Sequence, residues 1–361
     1  MEFYIINEPE RQLFILLDDN MQLIKPVCDF LRFQQQKGRA FNSLKAYGRD
    51  LLTFWRFLDA VDSDYADMTP SLIADFIDYL RCDNIGSISL YNESVRTNQT
   101  INRILGTVHS FYQFLSDMKG LNNPILMRDI NRTQNMFRSL LHHARTDNRT
   151  KQSVFKLKES KHVVKLVTDK EFDLFLGVLT KRRDILLYKL LYYTGARIQE
   201  VLDLEIESVP IPDMNQAVGV FQQIKSKGKR RNLYVPMALI AELDDFIMEE
   251  RSQIDTSHGY IFVSEQTKQL GKQLTYSAAY DKLKKVQAEK GLDFNFHDLR
   301  HTFCSNLIQS GMDTSIAQLI MGHEHISTTQ KYTHLSDSFI RESLSQYWEK
   351  GFAVGGVSDE G

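Results

Sequence analysis

The chain has 361 residues and a formal net charge of −2, with 42% hydrophobic and 25% charged residues. This length allows two domains, each with a hydrophobic core of its own. The sequence has no apolar run near the roughly 18 residues that a membrane span needs, and its N-terminus lacks the pattern of a secretory signal. Three widely spaced cysteines, Cys28, Cys82 and Cys304, are typical of reduced thiols in a cytoplasm and argue against a disulfide framework.

The first third of the chain is predicted to be helical. Residues 1–19 are predicted to be an extended N-terminal segment. Apolar residues then recur at helical spacing over four segments, at about 21–36, 43–58, 70–80 and 94–119. Pro70 and Gly120 are typical of a helix start and a helix stop. Short connections between these helices predict a compact all-helical domain over residues 20–125.

A second domain is predicted over residues 168–349. Residues 126–167 have a weak pattern and are predicted to be a helical extension that continues into a basic linker. Thr168 and Glu171 have the spacing of a capping box, which opens the domain. Its predicted elements are a helix at 184–193, hairpin strands at 217–224 and 232–235, helices at 237–251 and 276–290, and a flexible tail at 350–361. The predicted fold is mainly α, with one helical domain and one α+β domain that contains a small antiparallel sheet.

Positive charge is concentrated in two runs, although the net charge is not typical of a nucleic-acid binder. Residues 149–165 contain six Lys or Arg against one Glu, and residues 225–231 contain five basic residues and no acid. A single basic run is usually a solvated face. Two such runs in a chain that also has a dense group of His, Arg and Tyr at residues 296–334 favour contact with phosphate.

The reactive cluster lies in residues 296–334, which are dense in His, Arg and Tyr. Its members are His297, Arg300, His301, His323, Tyr332 and His334. Packing does not require so many of these side chains. If they converge, they supply cationic donors, a proton-transfer group and a phenol, a set that suits an anionic centre such as a phosphate.

Two residues upstream could complete such a site, and each has a plainer interpretation. Arg197 follows a Gly turn and suits either an ion pair with Glu200 or Asp203 or a bidentate phosphate contact. Lys227 lies in the predicted hairpin turn, where it is either solvated or able to deliver a proton to a leaving oxygen.

The histidine pair of the cluster has a zinc alternative. His297 and His301 are four residues apart, a spacing used by zinc sites. Asp298 stands where a zinc protease has Glu, and the sequence suggests no third ligand, so zinc is disfavoured. His297 with Arg300, one helical turn apart, suits phosphoryl chemistry better.

His323 and Tyr332 also have structural interpretations. His323 could simply interact with the dipole of a helix C-terminus. Tyr332 could be a half-buried aromatic residue, and a phenol with a pKa of about 10 needs a nearby cation or base to become a nucleophile.

Together these residues resemble a known family. They occur in the motifs TGARIQEVLDL, KSKG, HDLRHTF and MGHEHISTTQKYTH, with nine residues from His323 to Tyr332. Their order and spacing resemble the tyrosine recombinase (phage integrase) family, strongly over residues 168–349 and only in pattern over the first domain. The layout resembles the integrases of mobile elements, such as the transposase A type of Gram-positive transposons.

The resemblance implies a site-specific recombinase with a helical core-binding (SAM-like) domain and a catalytic domain. Tyr332 would attack a DNA phosphate to give a 3′-phosphotyrosine and a free 5′-hydroxyl. The other implied roles are Arg197 and Arg300 as clamps on the non-bridging oxygens, Lys227 as general acid, His297 as proton acceptor and His323 as hydrogen-bond donor to the phosphate. Lys225 and Lys229 lie close enough to Lys227 to leave the choice of general acid open.

The resemblance also sets expectations for cofactors and partners. Neither a metal nor another cofactor is expected, because two arginines neutralise the phosphate and the covalent intermediate conserves the phosphodiester energy. The expected partners are double-stranded DNA with specific recombination sites, three further copies of the chain in a tetramer on paired sites, and accessory DNA-binding proteins. The two domains are expected to close on DNA as a C-shaped clamp. The plain interpretation of the amphipathic segment 339–348 is packing on its own domain, whereas the resemblance favours docking on a neighbouring protomer in the tetramer.

Two other functions remain open from the sequence. One is relaxation of DNA in the manner of a type IB topoisomerase, which uses the same chemistry on one strand. The other is a catalytically silent DNA-binding protein.

Overall fold

The structure is a computed structural model. It describes residues 1–7, 12–82, 96–131, 149–159, 165–213, 215–226, 229–322 and 337–349. The chain divides into two compact units, Met1–His162 and Val163–Gly361. Within the described residues, no helix is both long and apolar enough to cross a membrane.

The described part of the first unit contains four α-helices and two pairs of antiparallel strands. Its strands are β1 (Glu2–Asn7), β2 (Gln12–Leu17), β3 (Met127–Asn131) and β4 (Arg149–Ser153), and its helices are α1 (Lys25–Gln36), α2 (Phe41–Ala60), α3 (Pro70–Cys82) and α4 (Asn98–Lys119). Strands β1 and β2 are antiparallel, as are β3 and β4. The four predicted helices are thus present, and Gly120 ends α4 with a positive φ of 71°.

Aromatic residues dominate the core of the first unit. The rings of Phe54 and Phe76 meet edge to face at 5.2 Å, which joins α2 to α3, and Phe30 meets Phe111 at 5.6 Å, which joins α1 to α4. Such pairs stabilise a core by about 0.5–1.5 kcal/mol beyond the area they bury. The N-terminal segment was predicted only to be extended. Its strand β2 also contributes to the core, because Leu16 is completely buried there.

In the described residues after Ile125, the predicted helical extension is wrong. Strand β3 pairs with β4 from Met127 opposite Ser153 to Asn131 opposite Arg149. The next residues are held on α4, where the side-chain amide of Asn102 donates to Leu157 O at 2.9 Å and its oxygen accepts from Leu157 N at 2.9 Å. The sequence signal was weak because polar strands that pair with each other have no apolar periodicity of their own.

In the described part of the second unit, helices surround the antiparallel pair of strands β5 and β6. Its helices are α5 (Asp169–Leu176), α6 (Arg182–Thr194), α7 (Ile198–Leu202), α8 (Met237–Glu249), α9 (Tyr276–Lys290), α10 (Phe296–Gln309), α11 (Thr314–Met321) and α12 (Asp337–Glu349), and its strands are β5 (Val218–Ser226) and β6 (Lys229–Pro236). The predicted capping box is present, since Glu171 N donates to Thr168 Oγ1 and Thr168 N donates to Glu171 Oε2. The fold is therefore mainly α with small antiparallel sheets, as predicted.

Helix α6 lies at the centre of this unit and packs against α10. Leu190 and Leu191 of α6 are completely buried. Strands β5 and β6 are antiparallel, with a bulge between Phe221 and Ile224. The β5–β6 hairpin and α10 are distant in the sequence, but both pack against α6.

The C-terminal helix α12 packs on its own unit. Ile340, Leu344 and Trp348 are buried together with Leu307 of α10 and Ile320 of α11. Of the two interpretations of this segment, packing within its own unit is the one that the structure shows.

Candidate active site

Helix α10 begins through a local cap that places His297 and Arg300 in its first turns. Asn295 Oδ1 accepts hydrogen bonds from His297 N at 2.8 Å and Asp298 N at 3.2 Å, and Asp298 Oδ2 accepts from Asn295 N at 2.8 Å. This reciprocal cap satisfies backbone donors that the helix leaves unpaired. Asp298 therefore serves the fold, and His297 lies exposed one turn before the buried Arg300.

The zinc alternative concerns His297 and His301 of α10. Among the residues that the structure describes, no group of three or more His, Cys, Asp or Glu could hold a metal ion. His301, the second histidine of the pair, is exposed.

Arg300 joins three helices at one point. Its Nη1 donates to Gly195 O, at the end of α6, at 2.6 Å, and its Nη2 donates to Met321 O, at the end of α11. Burial, followed by repulsion from the charges of Arg197 and Arg231, lowers the pKa of Arg300 to about 10. The guanidinium thus stays charged at neutral pH and is held in place by the main chain.

Gly195 is required at this junction because its φ is +59° and a Cβ would meet crowded atoms. A Cβ there would lie 2.6 Å from Phe303 Cδ1 and 3.1 Å from Met321 Sδ. Gly291 is a matched control, since its φ is +66° but a Cβ would meet nothing within 4 Å.

We expect Gly195→Ala to lower the free energy of unfolding by about 2–4 kcal/mol, the sum of backbone strain and overpacking. Gly291→Ala should cost about 1 kcal/mol, because only the backbone strain applies. Urea unfolding of the two variants measures the difference. Equal losses in both would show that the contacts with Phe303 and Met321 do not constrain position 195.

Arg197 makes the ion pair that the sequence allowed, and the partner is Glu200. Arg197 Nη1 donates to Glu200 Oε1 at 2.8 Å and to Ser226 Oγ at 2.8 Å, and Arg197 N donates to Glu200 Oε2 at 2.8 Å. Asp203 is instead held by Gln273, whose Nε2 lies 2.9 Å from its Oδ1. The Arg197 side chain is still 22% exposed, and a guanidinium has five N–H donors. The structural pair and a phosphate contact are therefore compatible.

Arg231 is a site residue that the sequence interpretation treated only as part of a basic run. Its Nη2 lies 2.7 Å from Glu200 Oε2, its Nε lies 3.3 Å from Glu200 Oε1, and its Nη1 donates to Ile320 O at 2.8 Å. A signal was available, because Arg231 shares the inward-facing register of β6 with Leu233 and Val235, which are buried.

Glu200 holds this network together at 3% exposure. Burial alone would raise the pKa of its carboxyl, but the hydrogen bonds and charge of Arg231, a hydrogen bond from Ser226 and the backbone of Arg197 lower that pKa to about 2. The carboxylate is therefore ionised at neutral pH and orients two guanidinium groups at once.

The cluster is chemically suited to an anion. In the part of the chain that the structure describes, the ion pairs of Arg197 and Arg231 are both with Glu200. Arg300, which donates to two carbonyl oxygens, adds a third positive charge. Preorganised donors of this kind stabilise negative charge that develops on phosphate oxygens.

Three predicted site residues, Lys227, His323 and Tyr332, lie outside the described residues, as does His334. The structure describes their neighbours Ser226 and Gly322. Ser226 Oγ accepts a hydrogen bond from Arg197 Nη1, and Gly322 ends α11 with a φ of +63°.

Known proteins resemble the chain over both units. The Phage integrase family matches residues 165–338, and the N-terminal SAM-like domain of phage integrases matches residues 29–119. Transposase A from transposon Tn554 of Staphylococcus aureus is 30% identical over 347 residues, which cover 94% of this chain and 95% of that protein. The chain belongs to the phage integrase family.

Other relatives of this integrase are tyrosine recombinases. XerD of Listeria innocua is 25% identical over 328 residues, which cover 89% of this chain and 97% of XerD. A lambda integrase dimer bound to a COC′ core site has a similar fold, with a TM-score of 0.58 at 14% identity, covering 87% of this chain and 98% of that one. The integrase of transposon Tn1549 in complex with transposon right-end DNA gives a TM-score of 0.54 at 16% identity, covering 91% and 99%. As a tyrosine recombinase, the present integrase breaks and rejoins DNA strands.

Proposed function

We propose that this integrase is the recombinase of a mobile element and that six residues carry out strand exchange: Arg197, Lys227, His297, Arg300, His323 and Tyr332. The observation that carries the assignment of residues is that Arg197 and Arg231 both pair with the buried carboxylate of Glu200, beside the buried Arg300. The similarity to a transposon transposase over nearly the whole chain supports the link to a mobile element.

In the proposed reaction, the Tyr332 oxygen attacks a DNA phosphorus while the bond from phosphorus to the 5′-oxygen breaks. Arg197 and Arg300 bind the non-bridging oxygens, where negative charge develops in the transition state. His297 accepts the tyrosine proton, His323 donates a hydrogen bond to the phosphate, and Lys227 gives a proton to the departing 5′-oxygen. Reversal with a new 5′-hydroxyl rejoins the strand.

The energy of the broken bond stays in the 3′-phosphotyrosine, so the proposed reaction needs no nucleotide cofactor. The guanidinium groups supply charge neutralisation that a metal ion supplies in other phosphoryl-transfer enzymes.

We assign the two units to different tasks. Within the second unit, residues 168–349 form the catalytic domain. Within the first unit, residues 20–125 form a helical core-binding domain that contributes to DNA binding. Contacts with the phosphate backbone make such binding strongly dependent on salt. The active assembly is a homotetramer on two paired recombination sites, with accessory DNA-binding proteins where directionality is required. All three cysteines are free, which fits action on DNA in the cytoplasm.

The proposal is tested with the purified chain and DNA that contains the ends of the element that encodes it. We expect a covalent adduct on nicked suicide substrates with these ends, and strand exchange between two such sites. Relaxation of plasmids that lack any specific site, without exchange, would instead favour a topoisomerase. Absence of an adduct on every site tested would favour a catalytically silent DNA-binding protein.

A further inference from the structure

We propose that Arg231 is a positioning residue for strand cleavage: it fixes the hairpin that carries Lys227 onto Glu200 and onto the end of α11. This inference rests on the proposed function, which assigns Lys227 as the general acid. Arg231 itself would touch neither the phosphate nor the leaving oxygen.

The hydrogen bonds of Arg231 point into the protein. Nε and Nη2 are directed to the two oxygens of Glu200, and Nη1 is directed to Ile320 O. The side chain is 11% exposed, compared with 22% for Arg197. All three nitrogens of the Arg231 guanidinium therefore donate to the protein, whereas Arg300 donates from Nη1 and Nη2 and Arg197 from Nη1. This use of the whole planar fork suits a residue that holds other groups in place.

The first anchor fixes the hairpin relative to Arg197. Glu200 receives Arg231 from β6 and Arg197 from the start of α7, so one buried carboxylate joins the two elements. Ser226, the last residue of β5, makes a second connection through its hydroxyl to Arg197. Lys227 follows Ser226 directly in the sequence, and Lys229 begins β6.

The second anchor fixes the end of α11. The last carbonyl groups of a helix have no partner within the helix. Here Arg231 donates a hydrogen bond to Ile320 O and Arg300 donates one to Met321 O, so two guanidinium groups bind consecutive carbonyl groups. At Gly322, a Cβ would lie 2.7 Å from Arg231 Cδ, which shows how closely the side chain follows the helix end.

The matched variants are Arg231→Lys and Arg230→Lys. A lysine at position 231 keeps the charge, but a single ammonium cannot reproduce the planar fork that spans Glu200 and Ile320 O. Arg230 is the adjacent residue on β6 and is exposed, so the same substitution there controls for a general effect on the hairpin surface.

The readout is the rate of single-turnover cleavage on two substrates. One has the natural 5′-oxygen, and the other has a sulfur atom in place of the bridging 5′-oxygen at the scissile phosphate. When Tyr332 attacks the second substrate, the phosphorus–sulfur bond breaks and a thiolate leaves without needing a proton. The ratio of the two rates therefore reports on delivery of the proton, and it does not depend on the fraction of folded protein.

For Arg231→Lys we expect cleavage of the natural substrate to fall by about 10- to 100-fold, the size of effect that a small misplacement of a reacting group produces. Cleavage of the sulfur substrate should stay within about 3-fold of the wild type, and so should the Kd for DNA. Lys227→Ala should show the same rescue with a larger initial loss, and Arg230→Lys should leave the ratio of the two rates at the wild-type value.

An equal loss on both substrates would overturn the inference, because Arg231 would then act on a step other than proton delivery. Unchanged cleavage of the natural substrate would also overturn it. Failure of the proposed function gives a different result, since the wild-type chain would then form no adduct with either substrate.

Discussion

Replacing Tyr332 with Phe is expected to abolish the covalent protein–DNA adduct while leaving DNA binding within about 2-fold of the wild type. Phenylalanine keeps the ring but lacks the oxygen that would form the bond to phosphorus, and no other group at that position can replace it. The measurement is denaturing electrophoresis of the protein after incubation with a nicked suicide substrate, together with a binding titration of the same DNA.

Tyr276→Phe is the matched control, because Tyr276 is 50% exposed in the same unit and loses the same hydroxyl. Its adduct should form at the wild-type rate. An undiminished adduct in the Tyr332→Phe variant would show that a different residue is the nucleophile, whatever the family relationship.

Replacing Arg300 with Lys is expected to reduce the cleavage rate by about 10²–10³-fold, the effect of removing one preorganised donor from a developing oxyanion. The physical reason is geometric. The guanidinium donates to Gly195 O and Met321 O, which fixes its plane, whereas an ammonium has neither the reach nor the fork. Single-turnover cleavage on the suicide substrate measures the loss.

The variant should also lose stability, because each buried carbonyl left without its donor costs about 1–3 kcal/mol. Arg251→Lys is the matched control for this effect. Arg251 is 3% exposed and donates to Tyr260 O and Ile254 O, but it lies outside the candidate site. Both variants should therefore be less stable in urea, and only Arg300→Lys should lose cleavage once the folded fraction is equal. A comparable loss of cleavage in Arg251→Lys would mean that Arg300 acts through stability alone.

Local signals in the sequence predicted the helices well. The capping box of Thr168 and Glu171, Pro70 at the start of α3 and Gly120 at the end of α4 all act over three or four residues. Such interactions depend on neighbours in the chain, so they can be recognised before the fold is known.

Pairing between distant segments could not be recognised in the same way. Strands β3 and β4 are polar and belong together only because Met127 lies opposite Ser153. The attachment of Leu157 to Asn102 is equally remote in sequence. Here a helical extension was predicted from composition, and non-local hydrogen bonds decided otherwise.

The sequence by itself determined the family of this protein and the order of its candidate catalytic residues, because spacing within a motif is a property of the chain. It also placed His297 and Arg300 one turn apart on one helix. Only the tertiary structure decided that Glu200 joins Arg197 to Arg231. The physical reason is that a buried carboxylate must be paired. Its distant partner, Arg231, was set by how the β5–β6 hairpin packs against α7, over a separation of 31 residues.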